Sequence, residues 1–369
     1  MKSAPCSRPH VALLFALGPL ACTQAPAPAS TGGAPAAAPK AETFAWKMVT
    51  TWPKNFPGLG TAPERFAVAV NEMSGGRLTV KVYGGGELVP PLEVFDAVAG
   101  GTAEMGHGAA YYWKGKVPEA QFFAAVPFGL TAQEMNGWLR YGGGLELWRE
   151  TYAPHGLIPF PCGNTGVQMG GWFNKEVASL EDIQGLKMRI PGLGGEVFEK
   201  AGGVPVLLPG SELFTSLQTG AIDATEWVGP YNDLAFGLHK AAKIVHYPGW
   251  HEPGTTLELI VSKAAFDKLP KDLQAIVRYA ADYANQSMLD EYTFRNGEAM
   301  AALQSEHGVK FVPFPKAVLE QFRELSSEVL AKEAERSPLA KKIYDSFSNF
   351  QARSREFQQV SEKAYLEAR

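Results

Sequence analysis

From Phe44 onward, runs with a two-residue apolar period take turns with runs of helical period, and this alternation limits the architectures open to the chain. Phe44 to Trp52 reads as a strand, and Thr61 to Ser74 sets Phe66, Val70 and Met73 on one helical stripe. Arg77 to Tyr83 alternates Leu78, Val80 and Val82 until Gly84, Gly85 and Gly86 end it; Pro91 to Ala99 is helical through Leu92, Phe95 and Val98. Strand, helix, strand, helix is the order of an α/β protein, and it implies parallel sheets covered by helices. The alternation continues with a strand near Glu104 to Tyr111, a helix from Ala132 to Tyr152, and strands near Leu157 to Phe173 and Leu186 to Ile190. A helix from Glu196 to Ala201, a strand from Thr255 to Ser262 and a long helix from Lys271 to Glu306 follow. One large sheet and two smaller ones both satisfy this order.

At 369 residues the chain is long enough for two lobes. After Ser337-Pro338, apolar residues from Leu339 through Ile343, Phe347, Phe350, Phe357, Val360 and Tyr365 recur every three or four positions to the terminus. A continuous helix over this stretch would be about 45 Å long, more than one small lobe can cover, so its apolar stripe needs a partner beyond that lobe.

The first residues read as an address rather than as fold. Lys2 and Arg8 precede an apolar run from Val11 to Leu17, and residues 1–21 read as a cleavable export signal, too short to span a membrane. Cys22 directly follows Leu20-Ala21, as at a bacterial lipoprotein processing site, which would acylate it; an ordinary secretory signal is the alternative. Residues 22–43 are dominated by Ala, Pro, Gly, Ser and Thr and read as a tether. Such a start implies that the folded part is exported. Cys162 then has no second thiol but Cys22 and reads as buried and inert.

Several chemistries are excluded. With 34 Lys and Arg against 38 Asp and Glu, and no basic block, the chain is not a nucleic-acid platform. Phosphate-binding loops, dinucleotide fingerprints, zinc-peptidase motifs and the nucleophile elbow are absent from the sequence. His107 lacks an evident carboxylate partner and reads as structural or pocket-lining.

What remains is a set of segments whose polar and aromatic residues interrupt apolar runs for no reason a core would impose. They are Gly163-Asn164-Thr165-Gly166-Val167-Gln168-Met169-Gly170-Gly171-Trp172-Phe173, Lys187-Met188-Arg189-Ile190, the run Gly220 to Tyr231 containing Glu226 and Trp227, and Pro248-Gly249-Trp250-His251-Glu252-Pro253. Taken singly, Arg189 could be a surface charge, Glu226 a capping or salt-bridged acid, Glu252 a turn acid and Gln168 a satisfied core amide. Together, one guanidinium, one amide and two carboxylates among Trp and Tyr describe a pocket for a small anion with a cation.

These same segments, with Tyr247-Pro248-Gly249-Trp250 and Gly142-Gly143-Gly144-Leu145, resemble the extracytoplasmic solute receptors of TRAP transporters, in the branch that binds 2-oxo acids such as pyruvate. The resemblance runs from about Phe44 to the C-terminus. It implies a two-lobed periplasmic binding fold, type II-like, that closes about a hinge: 44–165 as the first part of lobe I, 166–260 as lobe II, 261–315 as a return to lobe I, and 316–369 as C-terminal helices that dimerise. It further implies that Arg189 pairs with the substrate carboxylate, and that Gln168, Glu226 and the Trp227 backbone carbonyl surround a metal ion touching the substrate. Glu252 is a further acid at the metal, and Asn164, Gln168, Trp227 and Tyr231 join Arg189 around the substrate. The oxygen-only donors suit Na⁺, with Ca²⁺ as the alternative. His251 and Pro253 stand where the resemblance would put an aromatic and a glycine. The implied protein is a non-enzymatic receptor that hands a small carboxylate to a TRAP membrane permease, as a homodimer. A metal-assisted enzyme acting on a 2-oxo or 2-hydroxy acid, with Glu226 or Glu252 as base, is the competing reading.

Overall fold

The computed structural model describes residues 42–369, so the expected signal peptide, Cys22 and the tether up to residue 41 lie outside the described residues. The strands are β1 (Phe44–Thr50), β2 (Leu78–Tyr83), β3 (Met105–Gly108), β4 (Leu157–Asn164), β5 (Gly171–Phe173) and β6 (Lys187–Arg189). They are followed by β7 (Val204–Val206), β8 (Ala224–Thr225), β9 (Ile244–Tyr247), β10 (Thr256–Ser262) and β11 (Lys310–Pro313). They build two sheets, a five-stranded one in the order β2-β1-β3-β10-β4 and a six-stranded one in the order β11-β9-β5-β8-β6-β7.

The alternating residues of β1 and β2 behave as their pattern demands. Met48, Leu78 and Val82 are buried beneath the helix Thr61–Met73, whose Phe66 and Val70 are fully covered. The 35-residue helix Lys271–Ser305 closes the same core with Leu273, Val277 and Ala284. The sheets are mixed, which the strand and helix order did not foretell. β10 runs antiparallel between β3 and β4, and β5 runs antiparallel between β8 and β9. The physical reason is that the chain enters these strands from the opposite sheet rather than through a helical crossover, so their direction is set by the crossing. The expected ranges exchange strands accordingly: β10 pairs entirely within the first sheet, and β11 pairs with β9 in the second.

Two long helical expectations break. Ala132 to Tyr152 is two helices, Ala132–Tyr141 and Gly144–Tyr152, parted at Gly142-Gly143. The C-terminal helix spans Pro338–Val360, breaks at Ser361 and resumes as Glu362–Ala368. Its first half is covered within the chain, with Ile343 and Phe347 buried and the Phe347 ring 5.2 Å from that of Trp138. Its second half keeps Phe357, Val360, Tyr365 and Leu366 exposed. No helix among the described residues is long and apolar enough to cross a membrane.

Candidate functional site

Two segments cross between the sheets side by side: Thr165 to Gly170, from β4 to β5, and Pro248 to Thr255, from β9 to β10. They bond to each other through Thr165 N to Thr255 O at 3.1 Å, Gln168 N to Glu252 O at 3.1 Å and Gly249 N to Gln168 O at 2.9 Å. The contact is close enough to require glycine at 249, since a Cβ there would lie 2.3 Å from the Gln168 carbonyl oxygen. This pairing brings the Gln168 and Glu252 side chains together. Gln168 Nε2 donates to Glu252 Oε2 at 2.7 Å and lies 3.1 and 3.2 Å from the hydroxyls of Thr165 and Thr255. Glu252 Oε2 also accepts from Thr255 Oγ1 at 2.5 Å and from the Tyr111 hydroxyl at 3.4 Å.

The second sheet delivers the ion pair. β6 and β8 are parallel neighbours, and Arg189 ends the first while Glu226 follows the second, so both stand at carboxyl ends of adjacent strands. That edge is where open α/β sheets take ligands. Arg189 Nη1 donates to Glu226 Oε1, Nη2 to the Tyr112 hydroxyl at 3.0 Å and Nε to the Leu208 carbonyl at 3.2 Å. Its guanidinium lies 5.1 Å over the Trp227 ring. Arg189 and Glu226 are each about 1% exposed. Burial opposes the guanidinium charge, yet Glu226 and the two tyrosines more than compensate and hold Arg189 protonated. Burial and the Glu226 charge push the Glu252 carboxyl well above its usual range.

The first sheet faces this group with aromatics. Trp52 follows β1, and Tyr111 and Tyr112 lie in the turn of 3-10 helix after β3. The Trp52 ring lies 6.0 Å from Trp227 and 6.1 Å from Tyr112, and its Nε1 donates to His107 Nδ1 at 2.8 Å. His107 is thus a structural partner of a wall residue, kept neutral by burial, which lowers it to about 4. A small cavity, with room for about one water molecule, lies among Trp52, Tyr111, Tyr112, Thr165, Gln168 and Trp227.

Of the residues expected from the sequence, Gln168, Arg189, Glu226, Trp227 and Glu252 converge. Asn164 and Tyr231 do not. Asn164 spends its amide within the crossings, donating to Gly254 O and accepting from Gly166 N, and the Tyr231 hydroxyl donates to Glu291 at 2.9 Å. Trp52, Tyr111, Tyr112 and Thr255 were not singled out from the sequence. The one signal for the three aromatics was a place just beyond a strand end, which is too common to select them, and Thr255 carried none.

Buried polar atoms without partners concentrate here. Gln168 Oε1, Glu226 Oε2, Trp227 Nε1 and both ring nitrogens of His251 accept or donate nothing. Leaving a buried group unpaired costs about 1–3 kcal/mol, so the cluster is built for occupants that complete it. Two of the orphans are oxygens, one of them anionic, and they fit a hard cation beside the guanidinium.

The model of the bacterial extracellular solute-binding proteins, family 7, matches residues 48–337. The monocarboxylate 2-oxoacid-binding periplasmic protein of Nostoc sp. is 44% identical over 320 residues, 87% of this chain and 87% of that protein. A TRAP periplasmic solute-binding protein of Pseudoalteromonas atlantica, solved with bound sodium and pyruvate, is 45% identical with a TM-score of 0.87, covering 89% of this chain and 100% of that one. Another from Colwellia psychrerythraea, solved with bound calcium and pyruvate, is 42% identical with a TM-score of 0.87 and the same two coverages. The match over most of the chain, on a fold with its site at the sheet edges, sets the enzyme reading aside: the protein belongs to the family 7 extracellular solute-binding proteins, the periplasmic receptors of TRAP transporters.

Proposed function

We propose that this receptor captures a small 2-oxo monocarboxylate of the pyruvate type together with a cation and delivers it to its TRAP permease. The observation that carries the reading is the fully buried Arg189 paired with Glu226, whose Oε2 has no partner, in a cluster where Gln168, bonded to Glu252, also keeps its Oε1 unpaired. Arg189 meets the substrate carboxylate, for which its planar fork is suited. Gln168, Glu226, the Trp227 carbonyl and Glu252 hold the cation, which screens the substrate from Glu226. Two like charges about 4 Å apart at an effective dielectric of about 20 repel by roughly 4 kcal/mol, and an interposed cation reverses the sign. Pyruvate and sodium or calcium in the Pseudoalteromonas and Colwellia receptors support both assignments. Na⁺ is the first choice and Ca²⁺ the second, because Glu252 adds charge that Ca²⁺ favours.

A ligand of about six heavy atoms has a ceiling near 9 kcal/mol, or a submicromolar dissociation constant, and only an enclosed pocket approaches it. The two sheets therefore act as lobes closing about the paired crossings. Titrating pyruvate by calorimetry into protein stripped with chelator, in sodium-free buffer and again with Na⁺ or Ca²⁺ restored, tests the reading. Tight binding only with the cation is expected; unchanged affinity without it refutes the metal-bridged site, and no binding in any buffer refutes the ligand class.

The exposed Phe357, Val360, Tyr365 and Leu366 support a homodimer in which the C-terminal helix docks on a second copy. Light scattering that finds the mature protein monomeric removes the dimer. Lipidation of Cys22 would hold the receptor at the membrane, and mass spectrometry of the N-terminal peptide from native membranes distinguishes an acylated from a free cysteine.

A further inference from the structure

The position where the sequence departs from the resembled pattern lies inside the site. His251 is 1% exposed, and both of its ring nitrogens lack partners. Nε2 stands 3.7 Å from Glu226 Oε2, too far for a hydrogen bond and close enough for both atoms to share one ion. Donor atoms of Glu226, His251 and Glu252 all lie within 4.8 Å of one another. Glu226 divides its oxygens, Oε1 to Arg189 and Oε2 to this gap; the three bonds to Glu252 all land on its Oε2. The histidine is also fixed in place, since helix Gly192–Lys200 approaches so closely that a Cβ on Gly194 would lie 2.8 Å from the His251 Cβ. A side chain wedged at this depth with two idle nitrogens is accounted for by a ligand between it and the carboxylates.

We propose that His251 supplies a nitrogen ligand to the cation at Glu226 and Glu252, so that the receptor accepts a first-row divalent ion as well as a hard one. This rests on the cation site of the preceding section. Two carboxylates, an amide oxygen and an imidazole form a mixed set that first-row divalent ions bind better than Ca²⁺ does. Phe in place of His251 would keep a ring and lose the donor.

Mn²⁺ is the probe. Protein stripped with chelator is titrated with Mn²⁺, free ion being read by electron paramagnetic resonance, and separately with Ca²⁺ by calorimetry, for the wild type and His251→Phe. The wild type is expected to hold Mn²⁺ at least about tenfold more tightly than the variant, with Ca²⁺ changed less than about threefold. Spin-echo modulation from a coordinated nitrogen should appear in wild-type Mn²⁺ protein, a measurement that needs no variant if His251→Phe fails to fold. Absence of that nitrogen coupling, or equal Mn²⁺ affinity in the two proteins while Ca²⁺ and pyruvate still bind, overturns the His251 ligand and leaves the cation site standing. Failure of the wild type to bind either ion overturns both.

Discussion

Two of the buried carboxylate groups among the described residues are treated differently. Glu258, on β10, is fully buried, yet its carboxyl takes hydrogen bonds from Trp113 Nε1 and from the Tyr152 hydroxyl at 2.9 and 3.1 Å, and neither oxygen is left over. Glu226 and Glu252, equally deep, sit with an arginine on one side and a set of unpartnered atoms on the other. Burial of a carboxyl is common to both and marks neither as a site. Unmet bonding capacity is what distinguishes these two groups: several orphaned atoms gather around Glu226 and Glu252 and none on Glu258, and idle buried atoms carry a cost that a ligand recovers.

Arg189→Ala should produce the largest change. Carboxylate affinity is expected to fall at least about thirtyfold, since losing one partner of a buried charge pair costs about 2–5 kcal/mol. The structure adds a stability cost, because Glu226 is left buried and unpaired at about 3–5 kcal/mol. Adding Glu226→Gln should recover much of that stability and none of the binding. Calorimetry and urea unfolding on the single and double variants check both halves; near-normal affinity in the single variant ends the role of Arg189. Glu226→Gln alone should weaken cation retention, and pyruvate binding with it through linkage, by about tenfold or more. Equal cation affinity before and after the change would put the orphaned oxygen to no use.

Glu258→Gln probes the satisfied group. Burial raises the Glu258 carboxyl from 4.5 to about 8. The folded state therefore keeps a proton that the unfolded chain releases, and wild-type stability should decline as pH rises from about 4.5 through about 8. The decline attributable to this group approaches roughly 1 kcal/mol per pH unit at its steepest. The variant lacks it, so wild type should lose stability relative to the variant as pH rises, while pyruvate affinity is unchanged. Parallel profiles for the two proteins, from thermal melts across that range, contradict the contrast. Tyr112→Phe should give the smallest effect. It removes one hydrogen bond to Arg189, worth about 1 kcal/mol, and should weaken pyruvate binding by about fivefold; no change in a calorimetric titration would show the guanidinium indifferent to it.

How much of this was legible beforehand varies by element. β1, β2 and the helices Thr61–Met73 and Lys271–Ser305 follow from local periodicity, and their core residues are the ones the pattern predicts. Short strands such as β7 and β8 carry too few residues to show a period and were not anticipated. The strand directions were misjudged where a crossing between sheets, rather than a helix, sets them, as at β5 and β10.

For the site, the sequence supplied the residue types, a guanidinium, an amide and two carboxylates embedded in aromatic runs, from which a pocket for a small anion with a cation is expected. Only the tertiary structure decided which atoms meet. Gln168 and Glu252 are 84 positions apart and are joined because two crossing segments hydrogen-bond edge to edge; Arg189 and Glu226 are 37 apart and are joined because their strands are parallel neighbours. The same folding turned Asn164 and Tyr231 to other partners and brought in Trp52, Tyr111, Tyr112 and His251. Residue type travels with the sequence, whereas the pairing of distant segments is settled by how two sheets share one chain, and no local pattern encodes that.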